Sequence, residues 1–395
     1  MTDQIQGVVT LIRSAIKDET LALPLSFSLE EVEPLLNSQS LLPMAFQGAL
    51  KCGYLSADPL MQRLRKQYLQ ILMRSERQLQ ALRRLLKAFE AAGIDHMPVK
   101  GSILKELYPA PEMRIMCDAD ILIRTEQYER IREIMQSLQY EPGQEEVDDF
   151  VWKSQALYLE LHKRLFGRKQ RDLFRYFGSG WEKAIRREGC RYEMSVEDTY
   201  LYIFCHMTKH FRWYGVGARQ IVDLYVFRRA HPQMDEKQIG LALEKLHLKA
   251  FHDNILRVLR VWFDGEEPDA VTEQITAYVF SAGSWGTEKN ALYAETVLHM
   301  ETSGAAVSAR SRTLLAQLFP PKEPMQQNYN ILYRLPWLYP VFWPVRWVDV
   351  LLHRRKNIAR KLGVIQGISA EKADAHRRAL QSMGLDFRCI QMEED

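Results

Sequence analysis

Two aspartates separated by one alanine, set in a run that otherwise reads as a buried strand, restrict this chain more than any other feature. The run is "MPVKGSILKELYPAPEMRIMCDADILI", residues 97–123. A single unpaired carboxylate on a buried strand is already costly. Side chains alternate along a strand, so Asp118, Asp120 and Leu122 share one face, while Cys117, Ala119, Ile121 and Ile123 form the apolar face that packs into the core. Two acids at that range repel, and a divalent cation between them removes the repulsion and uses both charges. Magnesium suits the position because it accepts one or two protein carboxylates and completes its shell with water and phosphate oxygens; manganese can take the same place.

The flanking sequence supports a phosphate ligand. The amphipathic run of residues 60–92 reads as a long helix ended by Gly93, and "IDHMPV" as a strand leading into Lys100. After Gly101-Ser102 a helix over residues 102–108 is stopped by Pro109 and Pro111, so free backbone N–H groups meet at a positive helix end beside Lys100. "CDADILI" is a second strand, Thr125 caps a helix to about Leu138, residues Gln144 to Asp149 form an acidic loop, and "ALYLELHKRLF" is a third strand.

A strand carrying Gly-Ser followed by a strand carrying Asp-x-Asp resembles the nucleotidyltransferases of the DNA polymerase beta superfamily. More narrowly, "VKGSILKELYPAPEMRIMCDADILI" is similar to the uncharacterised nucleotidyltransferase family, with its apolar-Lys-Gly turn, Tyr-Pro segment, arginine and Asp-x-Asp-apolar-apolar. The long preceding helix, "YLELH", the His-x-x-x-His helix with a following Arg and Asp, and "LFPPKEPM" extend the likeness over roughly residues 30–350. The resemblance implies an α+β fold: a minimal nucleotidyltransferase core, a small mixed sheet with flanking helices, plus N-terminal and larger C-terminal helical parts. It implies Asp118, Asp120 and Glu160 as catalytic metal ligands, Gly101 and Ser102 as the phosphate seat with Lys100, and His162 at the rim. The connection from Ser102 to Asp118 is longer than in compact members of the superfamily and contains Pro109, Pro111 and Arg114. Arg114 either neutralises phosphate or pairs with Asp118.

From Ser195, a cap followed by acids, the chain turns almost wholly helical. His206 and His210 are four apart and share a helix face with Lys209 beside them; without a third ligand they do not read as a zinc site. Either that face closes over the nucleotide, with Lys209 or His210 reaching phosphate, or both histidines are ordinary polar residues of a packed helix. Arg219 and Asp223 read as a helix-surface pair or an ordering pair beneath the site. The expected units are 1–92 (helical segment), 93–190 (nucleotidyltransferase core), 191–310 (helical domain) and 311–395, an aromatic and proline-rich arm with a charged, loosely attached tail. Linkers are expected at 302–311 and 320–324, and "LYRLPWLYPVFWPVRW" as a packing arm around the helical domain.

Composition narrows the partners. With 53 Lys plus Arg against 50 Asp plus Glu, the net charge is +3, so no long nucleic acid is expected and any anion site is local. Five scattered cysteines with no Cys-x-x-Cys spacing argue against a disulfide framework. No stretch reads as a signal peptide or membrane span, giving the expectation of a soluble cytoplasmic protein. The reaction expected is transfer of NMP from an NTP, with ATP as the expected nucleotide, to an acceptor, releasing pyrophosphate. The alternatives are a phosphotransferase using the same metal geometry and a catalytically silent nucleotide-binding scaffold. Acceptor and oligomeric state are left open.

Overall fold

The computed structural model describes residues 1–143, 148–167, 170–284, 286–303, 331–349 and 370–386, with Phe319, Met325 and Tyr329. Three helices open the chain: α1 (Asp3–Lys17), α2 (Leu29–Ser38) and α3 (Leu42–Lys51). The side chains of Thr2 and Ser28 accept hydrogen bonds from the first turns of α1 and α2, supplying partners to otherwise orphaned N–H groups. The long amphipathic run becomes α4 (Pro59–Ala91).

The α/β core follows: β1 (His96–Val99), the single turn α5 (Gly101–Leu104), β2 (Ala119–Ile123), α6 (Tyr128–Ser137), β3 (Glu141–Pro142), β4 (Asp149–Lys153), β5 (Tyr158–His162), α7 (Arg171–Phe177), β6 (Ile185–Glu188) and β7 (Arg191–Glu193). Among the described residues the strands form one mixed sheet in the order β3-β4-β5-β2-β1-β7-β6. β2 lies between antiparallel β1 and parallel β5, and the register sets Val99 opposite Asp120 and Asp120 opposite Glu160. The fold is thus the α+β architecture expected from the sequence.

Ala119, Ile121 and Ile123 pack with Leu159 and Leu161 against Leu82, Leu85 and Phe89 of α4 and Ile131 and Met135 of α6. The other face is buried too. Leu122 joins a second, larger core that includes Tyr200, Tyr202 and Phe204 of α8 (Val196–Trp213). The acids therefore lie at an interface between sheet and helical domain, where a charge loses most of its solvation. Ser195 caps α8 by accepting from Asp198 N at 3.0 Å, and α9 (Ala218–Ala230), α10 (Glu236–Lys245), α11 (Lys249–Leu259), α12 (Ala270–Ala282) and α13 (Glu288–Ser303) complete the helical half.

Several sequence expectations are corrected. The helix expected over 102–108 is one α-turn followed by a 3-10 turn at Lys105–Leu107, because Pro109 and Pro111 cut it short. Thr125 starts a 3-10 turn and makes no side-chain cap bond; α6 begins at Tyr128. Asp149 is the first residue of β4 rather than the end of a loop, and residues 144–147 lie outside the described residues. The tail is not loosely attached over Ala370–Ser382: that helix buries Ala373 and Leu380, followed by Met383 and Leu385, in the larger core, and Asn254 donates to the Met383 carbonyl at 3.1 Å. In the aromatic stretch, expected as a packing arm, Trp337, Val341, Val345 and Val348 are exposed while Leu332 is buried. Of the expected linkers, 302 and 303 end α13, while 304–311 and 320–324 lie outside the described residues. The described cysteines Cys52, Cys117, Cys190 and Cys205 are free thiols. No described helix is long and apolar enough to cross a membrane.

Candidate active site

The turn between β1 and α5 creates one wall of the site. Lys100 adopts φ 48°, a left-handed conformation that a non-glycine residue holds only under constraint from its surroundings. In that conformation its ammonium donates to Asp120 Oδ1 at 2.6 Å and lies 3.5 Å from His162 Nε2. Gly101 is required by close approach: a Cβ there would stand 2.7 Å from Arg114 Nη1 and 3.4 Å from Met116 Cγ. The Ser102 hydroxyl donates to the Asp120 carbonyl at 3.3 Å, bracing β2 from behind. With α5 only one turn long, the helix-end field expected from the sequence is weak, and the local cation is Lys100.

Asp120, Glu160 and His162 each offer a donor atom within 4.8 Å of the others'. The β2–β5 register brings the two carboxylates side by side, and Leu122 pairs with His162 one step along. His162 Nε2 lies 2.7 Å from Asp120 Oδ1, while its Nδ1 meets the carboxylate of Asp149 on β4, the residue paired with His162 in the sheet. A histidine whose second nitrogen is fixed by a carboxylate is held in one ring orientation, the arrangement common behind metal-ligating imidazoles. Asp118 lies just before β2 and lines the same cavity, outside that group of three.

Charge in this cluster is unbalanced. Burial, followed by the charges of Asp120 and Asp118, pushes the Glu160 carboxyl up to about 7. Burial and Asp120 also raise Asp118 above the ordinary carboxylate range. Asp120 goes the other way: burial opposes its ionisation, but Lys100 and His162 outweigh burial and hold it well below the usual value. Burial and Lys100 work against a charged His162, yet its bonds to Asp120 and Asp149 raise it to about 9. Burial and the neighbouring acids thus hold two carboxyls back from ionising, and the donor set of hard oxygens fits magnesium or manganese; the imidazole is a donor that manganese accepts more readily than magnesium.

The opposite wall is α8. A cavity of about 490 Å³ has Asp118, Asp120 and Glu160 on one side and His206, Lys209 and His210 on the other. The histidine face of α8 thus borders the same cavity as the carboxylates. His206 and His210 stand with their Nε2 atoms 3.3 Å apart. Burial drives His206 well below its ordinary value and, with Lys209 next in effect, drives His210 to about 3, so both are neutral. Lys209 is lowered to about 8 by burial and then by Lys100, so its charge is not constant through the physiological range as its residue type suggests.

Arg114 also borders the cavity, but its partner is not Asp118. Its Nε and Nη2 donate to Asp223 of α9 at 2.7 and 2.9 Å, and the Tyr108 hydroxyl donates to the same carboxylate at 2.7 Å. Arg219 Nη1 donates to the Ile115 carbonyl at 2.8 Å. Arg219 and Asp223 are therefore buried cross-braces between α9 and the segment before the aspartates, not a surface pair. The structure gathers Lys100, Gly101, Arg114 and His162 with the acids and α8 residues around one cavity; Ser102 supports it from outside the lining. Asp149 was missed because its neighbours read as an acidic loop. The signal that could have found it is the apolar "FVW" directly after it, a short strand antiparallel to "YLELH".

A family model described as an uncharacterised nucleotidyltransferase matches residues 26–264, which includes every residue placed around this cavity except Ser284. No curated protein and no solved structure matches the chain.

Proposed function

The chain belongs to the uncharacterised nucleotidyltransferase family, and from that premise we propose that it moves NMP from ATP to an acceptor hydroxyl or phosphate and releases pyrophosphate. The observation that carries this reading is the β2–β5 register, which sets Asp120 beside Glu160 with Asp118 at the same cavity. Asp118, Asp120 and Glu160 would hold magnesium or manganese, with His162 as a further donor beside them. Bound there, the cation supplies charge neutralisation to the triphosphate oxygens and to the attacking oxygen.

The rest is done by the chain. Gly101 leaves room for the phosphates against the turn, and Lys100, with Lys209 from the opposite wall, offsets their charge. The acceptor oxygen forms its bond to the α-phosphorus as the bond to the bridging oxygen breaks; pyrophosphate leaves with the electron pair, and a hydroxyl's proton passes to Glu160. Arg114, fixed by Asp223, faces the same cavity as a second cation for the leaving phosphates. In this reading residues 93–190 hold metal and triphosphate, and residues 191–310 close over them.

Product analysis tests it without knowledge of the acceptor, because water can take the acceptor's place slowly. Incubation with magnesium and ATP should give AMP and pyrophosphate. ADP and orthophosphate would replace the proposal with γ-phosphate transfer on the same site.

A further inference from the structure

A second cavity, of about 440 Å³, opens on the α4 flank of the aspartates. Arg74 and Arg77 of α4 line it with Gln70 and Gln78, and its floor includes Cys117 and Tyr158. No Asp or Glu lines it, and neither arginine has an acidic partner within ion-pair distance among the described residues. Two guanidinium groups therefore share one small cavity that no acid lines. Gln78 donates to the Met116 carbonyl at 3.0 Å, which fixes α4 against the segment entering the Asp-x-Asp strand.

The position of this groove gives it a role. Cys117 immediately precedes Asp118, and Tyr158 lies two residues before Glu160 on the same face of β5, about 7 Å away by strand rise. The groove sits at the starting ends of β2 and β5, lined by Cys117 and by residues 154–158, and shares no lining residue with the nucleotide cavity, so the two approach Asp118 from different sides. We propose that the Arg74–Arg77 groove binds the phosphate or carboxylate end of a small acceptor whose hydroxyl reaches Asp118 and Glu160. Paired arginines match the planar, bidentate geometry of such oxyanions, and the volume suits a small molecule rather than a polymer. The proposal rests on the nucleotidyl-transfer reading and assigns the acceptor class that reading leaves open. The balance is that given above, the acceptor hydroxyl's proton going to Glu160 and pyrophosphate leaving with the electron pair.

The test is calorimetry on the full chain saturated with magnesium and α,β-methylene-ATP, titrated with glycerol 3-phosphate, glycerate and glycerol. The two oxyanions should bind and glycerol should not, and the tighter of the two identifies phosphate or carboxylate as the preferred group. Arg74→Ala with Arg77→Ala should lower oxyanion affinity at least about tenfold, the scale of one charge-assisted hydrogen bond. It should leave the melting temperature and affinity for the nucleotide analogue unchanged, since both side chains are exposed; Arg74→Lys with Arg77→Lys should retain part of the binding. Equal binding of glycerol, no oxyanion binding, or an unaffected double alanine variant overturns the proposal. Failure of the wild type to bind the nucleotide analogue counts against the nucleotide reading instead, and the same titrations without analogue then judge the groove by itself.

Discussion

At Asp120 one carboxylate is bonded to both Lys100 and His162, whereas Asp118 forms no ion pair among the described residues and feels Lys100 and Arg219 only from farther off. The two aspartates should therefore respond differently to neutralisation. Asp118→Asn should leave the metal-free fold as stable as wild type or slightly more so, because like-charge repulsion is relieved, while abolishing magnesium-dependent nucleotide binding. Asp120→Asn should lose binding and also cost about 3 kcal/mol in denaturant unfolding, because it leaves Lys100 buried without its anion and His162 with Asp149 alone. Equal stability of the two variants would contradict this division. Glu160 gives a pH signature. Its folded carboxyl is raised to about 7 from an ordinary 4.5, so between those values the folded protein keeps a proton that the unfolded chain has lost. Stability of the metal-free protein should fall as pH rises through that window, by up to about 3 kcal/mol. Glu160→Gln should flatten that slope in urea titrations from pH 4.5 to 7; an unchanged slope would assign it to other groups. At this scale the sequence was legible where spacing alone determined a face, as at Asp118 and Asp120, whereas Glu160 was singled out by the family resemblance. Asp149 and the partner of Arg114 depend on which strands and helices meet, which no local pattern encodes.

Among the elements, α8 and α9 supply the wall of the cavity that faces β2 and β5. The buried Arg114–Asp223 pair joins α9 to the segment that carries the aspartates. Asp223→Ala should destabilise by about 3–5 kcal/mol because it leaves a buried guanidinium unpaired, and Arg114→Met with Asp223→Leu should recover most of that in the same thermal melts. If the double variant is no better than the single one, the pair is not the unit that matters. For Lys209, burial has lowered the ammonium to about 8 in the nucleotide-free protein, so a triphosphate bound beside it should restore the proton. ATP binding should thus take up a proton between about pH 8 and 10, measured by calorimetry in two buffers of different ionisation enthalpy, and Lys209→Ala should remove that uptake while weakening binding by about 1–3 kcal/mol. Undiminished uptake in the variant would place Lys209 away from the phosphates. Long or strongly patterned elements such as α4, α8, β2 and β5 were readable from periodicity. The β6–β7 hairpin was not, because "IRREGCRYE" is charged and mostly exposed and has no apolar alternation to reveal it. β4 was hidden by the acids that precede it.

For the whole molecule, the sheet has two cores, one beneath α4 and α6 and one beneath the helical half, and the carboxylates occupy the seam. The α+β class and the helical second half were legible because hydrophobic period changes along the chain. That both faces of β2 are buried was not, since it depends on the helical half folding back over the sheet. The two acids on a buried strand border a cavity left between the sheet and the helical half, with Lys100 and Lys209 also lining it. The most direct test is a crystal of the full chain soaked with manganese and α,β-methylene-ATP, with the metal located by anomalous scattering. The account predicts manganese at ~2.2 Å from carboxylate oxygens of Asp118 and Asp120, with the triphosphate between that metal and Lys209. Manganese bound elsewhere, or a triphosphate that avoids the cavity between β2 and α8, would contradict it.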